Sequence, residues 1–256
     1  MTRVVVGVDK TGKSGPVVRW AASEAATRGE ALHLVHAWDV PISMSVEIPA
    51  DTLPDAPGGA TSSAEPGSPA AVLLGQRLDL LVLGGHAGAP HVSHVTGSCL
   101  RHATCPVIVV PDTERAPVGR IVVAVCGTDA SRTALCWAEH EARLRGADLV
   151  VAYVWQAPVM SREVLHPASA LPAQRLAAVD LLRGWVHASL GRDDVELHAS
   201  RGAPLDGLLE LSGDADLLVV GRSRVLSGLG RVWHAAVSND LCGLAPCPVA
   251  VVPPTA

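Results

Sequence analysis

Phenylalanine is absent from the 256 residues and tyrosine occurs once, so any core must be aliphatic. No apolar run approaches the roughly 18 residues that a membrane-spanning helix needs. Met1-Thr2-Arg3 leads straight into a valine run with no signal-peptide apolar region, so the expected location is cytoplasmic and no membrane partner is expected. Basic excess is also missing: 20 Lys and Arg stand against 25 Asp and Glu, a net charge of −5 that gives no electrostatic reason to expect nucleic acid. The six cysteines form no Cys-x-x-Cys pair and are not crowded into a small scaffold, which fits small buried thiols of a reducing compartment. There is no Gly-x-Ser-x-Gly elbow and no paired base, so catalysis has no visible apparatus and an enzyme is not expected. What remains is 48% hydrophobic and 18% charged, a composition that folds.

The chain is a tandem repeat. Val4-Val5-Val6-Gly7-Val8, Trp20-Ala21, Gly29, Leu32 and Trp38 recur 117 positions later, among them as Val122, Val123 and Val125, Trp137-Ala138, Gly146, Leu149 and Trp155. The offset then grows to 135 at Gly67 and Gly202, 137 at Gly84 and Gly221, and 142 at Cys105-Pro106-Val107 and Cys247-Pro248-Val249. The first copy has therefore lost residues between Trp38 and Gly67, before Gly84, and between Gly84 and Cys105. Two lobes follow, 1–112 and 118–254.

Each copy alternates β-branched runs with helical segments, the pattern of a parallel sheet with crossover helices. The second copy predicts strands over Ile121–Val125, Leu149–Val154, Val195–His198, Leu217–Val220 and Val249–Val252. Its helices are predicted at Ser131–Arg145, roughly Ala173–Leu190, Leu205–Leu211 and from about Ala235. In the first copy, Pro41, Pro49, Pro54, Pro57 and Pro66 with Gly58-Gly59 forbid a long uninterrupted helix. The expectation is a first lobe lacking helix 2 and strand 3, with a disordered loop over about 41–66. The proline-bracketed runs Val107–Val110 and Val249–Val252 are apolar on both faces, so pairing them would remove two sheet edges. An intramolecular pseudo-two-fold at that seam is expected.

The matching text, Val5-Val6-Gly7-Val8-Asp9, Leu34-Val35-His36-Ala37-Trp38, Asp79-Leu80-Leu81-Val82-Leu83-Gly84 and Cys105-Pro106-Val107-Ile108-Val109-Val110, resembles the universal stress protein family in its tandem form. In the second copy the match is Gly202-Ala203-Pro204, Ala215 to Gly221 and Pro246 to Val252. The resemblance implies an α/β fold of two Rossmann-like lobes of the adenine nucleotide alpha hydrolase-like kind, with parallel sheets of order 3-2-1-4-5. It also implies a stress-response binding protein, in which ligand sits at the carboxyl ends of the first and fourth strands. ATP-binding members place an Asp after the first strand and a Gly-x2-Gly-x9-Gly-Ser/Thr loop after the fourth, where backbone N–H groups and a helix N-terminus hold phosphates.

Carried over residue by residue, the resemblance assigns ATP in the first copy to Asp9, Thr11, Ala37, Gly84, Gly85, Gly88, Gly97 and Ser98. The second loop glycine is replaced by Ala87, so three of four loop positions fit. An alternative register, anchored ten residues before Cys105, puts Ser93-His94 where Gly-Ser should be. The deletion then removes either part of the loop or one turn of the following helix, and a shortened loop is preferred because loops absorb deletions more easily. In the second copy Cys126 replaces the acid, Arg224 the second glycine and Ala235-Ala236 the Gly-Ser, so its site is expected to be degraded, with Arg222, Arg224 and Arg231 the remaining anion-binding groups.

His91, His94, Cys99, His102 and Cys105 fall within 15 residues, a spacing that could hold zinc. His102 and Cys105 stand at family-typical places, however, and no metal is expected. The tryptophans Trp20, Trp137, Trp38 and Trp155 repeat as pairs, which speaks for packing. The leading expectation is a regulatory protein with a degraded ATP site. The alternative is an adaptor that binds no nucleotide, whose partner is another protein or a second copy of the chain.

Overall fold

The computed structural model describes residues 3–9, 14–38, 59–156, 171–222 and 230–254; the side chains of 171–173 and 230–236 are outside that description. In the first lobe the elements are β1 (Arg3–Val8), α1 (Gly15–Arg28), β2 (Ala31–Trp38), β3 (Thr61–Pro66), α2 (Pro69–Gly75), β4 (Leu80–Gly84), α3 (His94–His102) and β5 (Val107–Val110). The second lobe has β6 (Arg120–Ala124), α4 (Asp129–Arg145), β7 (Asp148–Trp155), α5 (Leu171–Leu190), β8 (Glu196–Arg201), α6 (Pro204–Ser212), β9 (Leu217–Gly221), α7 (Gly230–Leu244) and β10 (Val249–Val252).

All ten strands form one sheet, ordered β3-β2-β1-β4-β5-β10-β9-β6-β7-β8. Read from each outer edge toward the seam, each lobe is a parallel 3-2-1-4-5 sheet. The seam is the antiparallel pair β5 and β10, with Val109 opposite Val249 and Val107 opposite Val251, as the matching proline-bracketed runs imply. Strand alternation sends Val4 and Val6 to one face, under α1, α4 and α5, and Val5 to the other, under α2, α3, α6 and α7. Both cores run through both lobes.

One expectation fails. The first lobe has its third strand: Thr61–Pro66 pairs in parallel with β2 from His33 to Trp38. It corresponds residue for residue, at the offset of 135, to β8, and the Gly67 N–H donates to Trp38 O (2.9 Å) as the Gly202 N–H does to Trp155 O (3.0 Å). The strand escapes a hydrophobicity reading because it is polar. As the sheet edge it buries little, and His33 holds it by bonding the hydroxyls of Thr61 (2.8 Å) and Ser63 (3.1 Å). Serine and threonine hydroxyls thus take the place of aliphatic contacts. The loop expected over 41–66 gives way to strand from Thr61, and the missing 18 residues fall in the crossover before it. The expected loss of helix 2 concerns residues 39–58, which lie outside the described residues.

A charge cluster sits where α1 meets α4 and repeats the duplication offset of 117. Glu24 and Arg28 of one lobe face Glu141 and Arg145 of the other. Arg28 bonds Glu24 (2.6 Å) and Glu141; Arg145 bonds Glu24 and approaches Glu141 (3.6 Å), closing an alternating ring. Arg28 also lies over Trp137 (5.8 Å) and Arg145 over Trp20 (5.4 Å). Each contact is the two-fold image of another, the self-complementarity of an isologous interface within one chain.

Candidate functional site

At the carboxyl ends of β1 and β4, where the strand order reverses, the first lobe opens a cavity of about 630 Å³. Asp9 from the end of β1, His36 and Ala37 from β2, Gly84 and Gly85 after β4, and Ser93 and Thr96 from the start of α3 all line it. The chain leaves β1 into α1 and β4 into α3, on opposite faces of the sheet. The turn after β1 is tied by one serine: the Asp9 N–H donates to Ser14 Oγ (3.1 Å), and the Ser14 hydroxyl donates to Asp9 Oδ1 (3.1 Å). Ser14 is buried, so the carboxylate is aimed by a fixed partner. His36 bonds Val8 O through Nδ1 (3.0 Å) and stacks on Trp38 at 5.8 Å. A carbonyl only accepts, so Nδ1 carries the proton.

After β4 the loop is stitched by backbone: Gly85 N–H donates to Val110 O (2.7 Å) and Ala89 N–H to His86 O (3.2 Å). Ala87 N–H donates to Asp112 Oδ1 (2.9 Å). Among the described lining residues the carboxylates are those of Asp9 and Asp112, and the imidazoles those of His36 and His86.

The second lobe repeats the frame at about 360 Å³. Ser131 plays the part of Ser14: the Cys126 N–H donates to its Oγ (3.0 Å), and the Cys126 sulfur lies 3.2 Å from that hydroxyl. Tyr153 stacks on Trp155 at 5.7 Å as His36 does on Trp38. Gly221 lies so close to α4 that a Cβ there would be 2.4 Å from Ala130 O, whereas at Gly84 the nearest atom would be 3.7 Å away. The carboxylate is gone and the cavity is smaller.

The universal stress protein family model matches residues 1–65 and 117–253. The chain belongs to the universal stress protein family. A universal stress protein of Mycobacterium tuberculosis is 27% identical over 97% of this chain and 95% of its own length. One of Mycolicibacterium smegmatis is 29% identical over 98% and 97%. The crystal structure of a universal stress protein from Archaeoglobus fulgidus covers 98% of the chain with a TM-score of 0.67 at 14% identity, which supports the fold. The family carries with it a stress-response role.

Of the positions that the family resemblance assigns to ATP, Asp9, Ala37, Gly84 and Gly85 meet around the first cavity. Thr11 lies outside the described residues. Gly88 sits in an exposed turn at φ +75 and does not line the cavity. Gly97 and Ser98 are displaced: they lie inside α3, where Gly97 N–H donates to Ser93 O (2.8 Å) and Ser98 O accepts from His102 Nδ1 (2.9 Å). The helix starts at Ser93, whose Oγ caps Thr96 N–H (3.1 Å).

The register with Ser93-His94 at the helix start is the one the structure takes, so against the family spacing the loop after Gly84 is the shortened part, as preferred. α3 has 9 residues and α7 has 15, while the two helices end at equivalent places. At the offset of 142, α3 thus begins six residues later than α7. In α3 the buried residues are Thr96, Gly97, Cys99 and Leu100, and the counterparts of the last two, Leu241 and Cys242, are buried in α7.

In the second lobe Arg222 reaches across the seam and donates to Leu100 O of α3 (3.0 Å). The backbone places Ala235 and Ala236 within α7. Arg224 lies outside the described residues, and the side chain of Arg231 does also. Of the zinc-like set, Cys99 and Cys105 are buried, which pushes both thiols up to about 11, away from the thiolate a metal needs. No group of three or more His, Cys, Asp or Glu among the described residues could hold a metal ion.

Sequence reasoning passed over Ser14 and Asp112. Ser14 had a signal, since it recurs as Ser131 at the offset of 117. Asp112 had none, because its bond to the loop is set only by the return of β5 beside β4. No helix among the described residues is long and apolar enough to cross a membrane. A groove of about 650 Å³ along the linker 111–119 is larger than either cavity; it lies between α1 and the second lobe, and its charged groups are paired there, Arg19 with Glu114, Arg145 with Glu24, and Asp216 with the N–H groups of Val118 and Gly119.

Proposed function

We propose that the protein is a regulatory, non-enzymatic stress protein whose first lobe binds the adenosine part of an adenine nucleotide, at a site whose phosphate cradle is degraded. The observation that carries this reading is the convergence of Asp9, fixed by buried Ser14, with Ala37 and Gly84 around one cavity at the topological switch point. Its volume falls within the roughly 300–1,000 Å³ of small-molecule sites. The second lobe, with Cys126 for the acid and about 360 Å³, is the non-binding half. An adaptor reading draws on the internal use of the cradle, since Thr96 N–H and Ala87 N–H are already bonded to Ser93 and Asp112.

Thermal shift with adenosine, AMP and ATP at millimolar concentration separates the two. Ligand at about 30 times its Kd stabilises by about 2 kcal/mol, which raises the midpoint by about 4–8 °C for a chain of this size. Asp9→Ala should remove the shift. Absence of any shift with all three ligands defeats the nucleotide reading in favour of the adaptor.

A further inference from the structure

Asp112 stands immediately after β5 and turns back onto the glycine loop, where its Oδ1 accepts the Ala87 N–H at 2.9 Å. That N–H belongs to the loop whose amides would face the phosphates of a nucleotide. Two further amides of lining residues are also taken, Thr96 N–H by Ser93 Oγ at 3.1 Å and Gly85 N–H by Val110 O at 2.7 Å. Asp112 thus brings a carboxylate to the cavity lining and occupies a loop amide with it, and the other carboxylate among the described lining residues, Asp9, has the same sign, beside the imidazoles of His36 and His86. The position equivalent to Asp112 in the second lobe is Pro254, so the carboxylate is particular to the half with the larger cavity.

We propose that Asp112 is a specificity-determining residue that turns the first-lobe site toward an uncharged nucleoside and against polyphosphates. The inference rests on the adenosine reading above and adds to it the rejection of charge. The Asp112 carboxylate holds the loop amide as a phosphate oxygen would. A triphosphate must therefore displace it, losing a charge-assisted hydrogen bond, or sit beside it against like charge. An adenosine meets neither cost.

The test is calorimetric titration of the full chain with adenosine and with ATP free of divalent cation, on the wild type and on Asp112→Asn. Asparagine still presents an oxygen to the Ala87 N–H, so the loop stays anchored while the charge is gone. Adenosine should bind the wild type about tenfold more tightly than ATP at low salt, the size of effect expected of one like charge near a polyphosphate. The substitution should raise ATP affinity by about the same factor and change adenosine affinity by less than about twofold. In the wild type the gap should also narrow as salt is added, a readout independent of the variant's folding. ATP binding as tightly as adenosine, or a ratio unmoved by both the substitution and salt, overturns the proposal. Failure of adenosine and ATP alike to bind removes the adenosine reading and this inference with it, and is told apart from the previous outcome because no ligand then gives heat.

Discussion

Replacing Arg28 with methionine tests whether the charge ring holds the two lobes together. Arg28 is the better buried of the two arginines, its side chain 10% exposed against 19% for Arg145, and it bonds both Glu24 and Glu141, which are 3% and 1% exposed. Methionine keeps most of the apolar stem over Trp137 but leaves two buried carboxylates to share Arg145, whose Nε is 3.6 Å from Glu141. Orphaning one side of a buried ion pair costs about 3–5 kcal/mol. In a chain of this length that lowers the melting midpoint by about 6–20 °C. Arg145→Met should cost about half as much, because that side chain is more exposed and it hydrogen-bonds Glu24 but only approaches Glu141. Urea unfolding at pH 8, followed by tryptophan fluorescence, reports directly, since Trp20 and Trp137 lie beneath the arginines. Adding Glu141→Gln to Arg28→Met should restore about 2 kcal/mol by removing the stranded charge. A loss below about 1 kcal/mol for Arg28→Met, or a double variant no better than the sum of the singles, would refute the ring as a determinant of lobe pairing.

Two more predictions follow from the same seam. Burial, and then the Glu24 carboxylate, push Glu141 up to about 7 against the pull of Arg28 and Arg145. The folded state therefore binds this proton more tightly than the unfolded one. Its contribution is full below about 4.5 and is lost as pH rises through about 7. The urea midpoint should fall between pH 5 and pH 8 by more in the wild type than in Glu141→Gln, and equal falls would dismiss Glu141 as the group responsible. His33 and His198, held below the ordinary histidine value chiefly by burial, act in the opposite sense, so the difference between the two proteins isolates Glu141. Gly243→Ala would place a Cβ 2.3 Å from Ala89 O and 3.7 Å from His91 N, driving α7 of the second lobe into the loop of the first. It should destabilise by about 1–3 kcal/mol and weaken adenosine binding, and unchanged affinity would show that the loop does not feel the seam.

What the sequence disclosed, and what it hid, divides along physical lines. Strands buried on both faces, such as Val107–Val110 and Val249–Val252, are continuous apolar runs, and their proline brackets fix their ends, so the antiparallel seam was legible before any coordinates. Thr61–Pro66 was not, because an edge strand held by His33 to two hydroxyls leaves no hydrophobic period. Helix lengths were only partly legible: α7 begins at Gly230, ahead of the start near Ala235 that the residue pattern gave. In the site, Asp9 and Gly84 were readable as the ends of recognisable strands. The displacement of Gly97 and Ser98 into α3 was not, because two registers accounted for the same letters and only the cap at Ser93 decides between them.

The two copies differ where ligand would sit and agree where the lobes touch, and that contrast ties structure to role. At the α1–α4 contact the offset of 117 preserves Trp20 and Trp137, Glu24 and Glu141, Arg28 and Arg145, so each residue still meets the image of its own partner. At the strand ends the same comparison gives Asp9 against Cys126, His36 against Tyr153, and Asp112 against Pro254. A self-complementary contact tolerates a change on one side only if the other side compensates, since an unpaired buried charge is costly. A cavity rim open to water imposes no such demand. The duplicated frame therefore lets the ends of the strands diverge at little cost to pairing. Through Gly243 and Arg222, which reach from the second lobe to the loop and helix of the first, the half without the acid still shapes the half that has it.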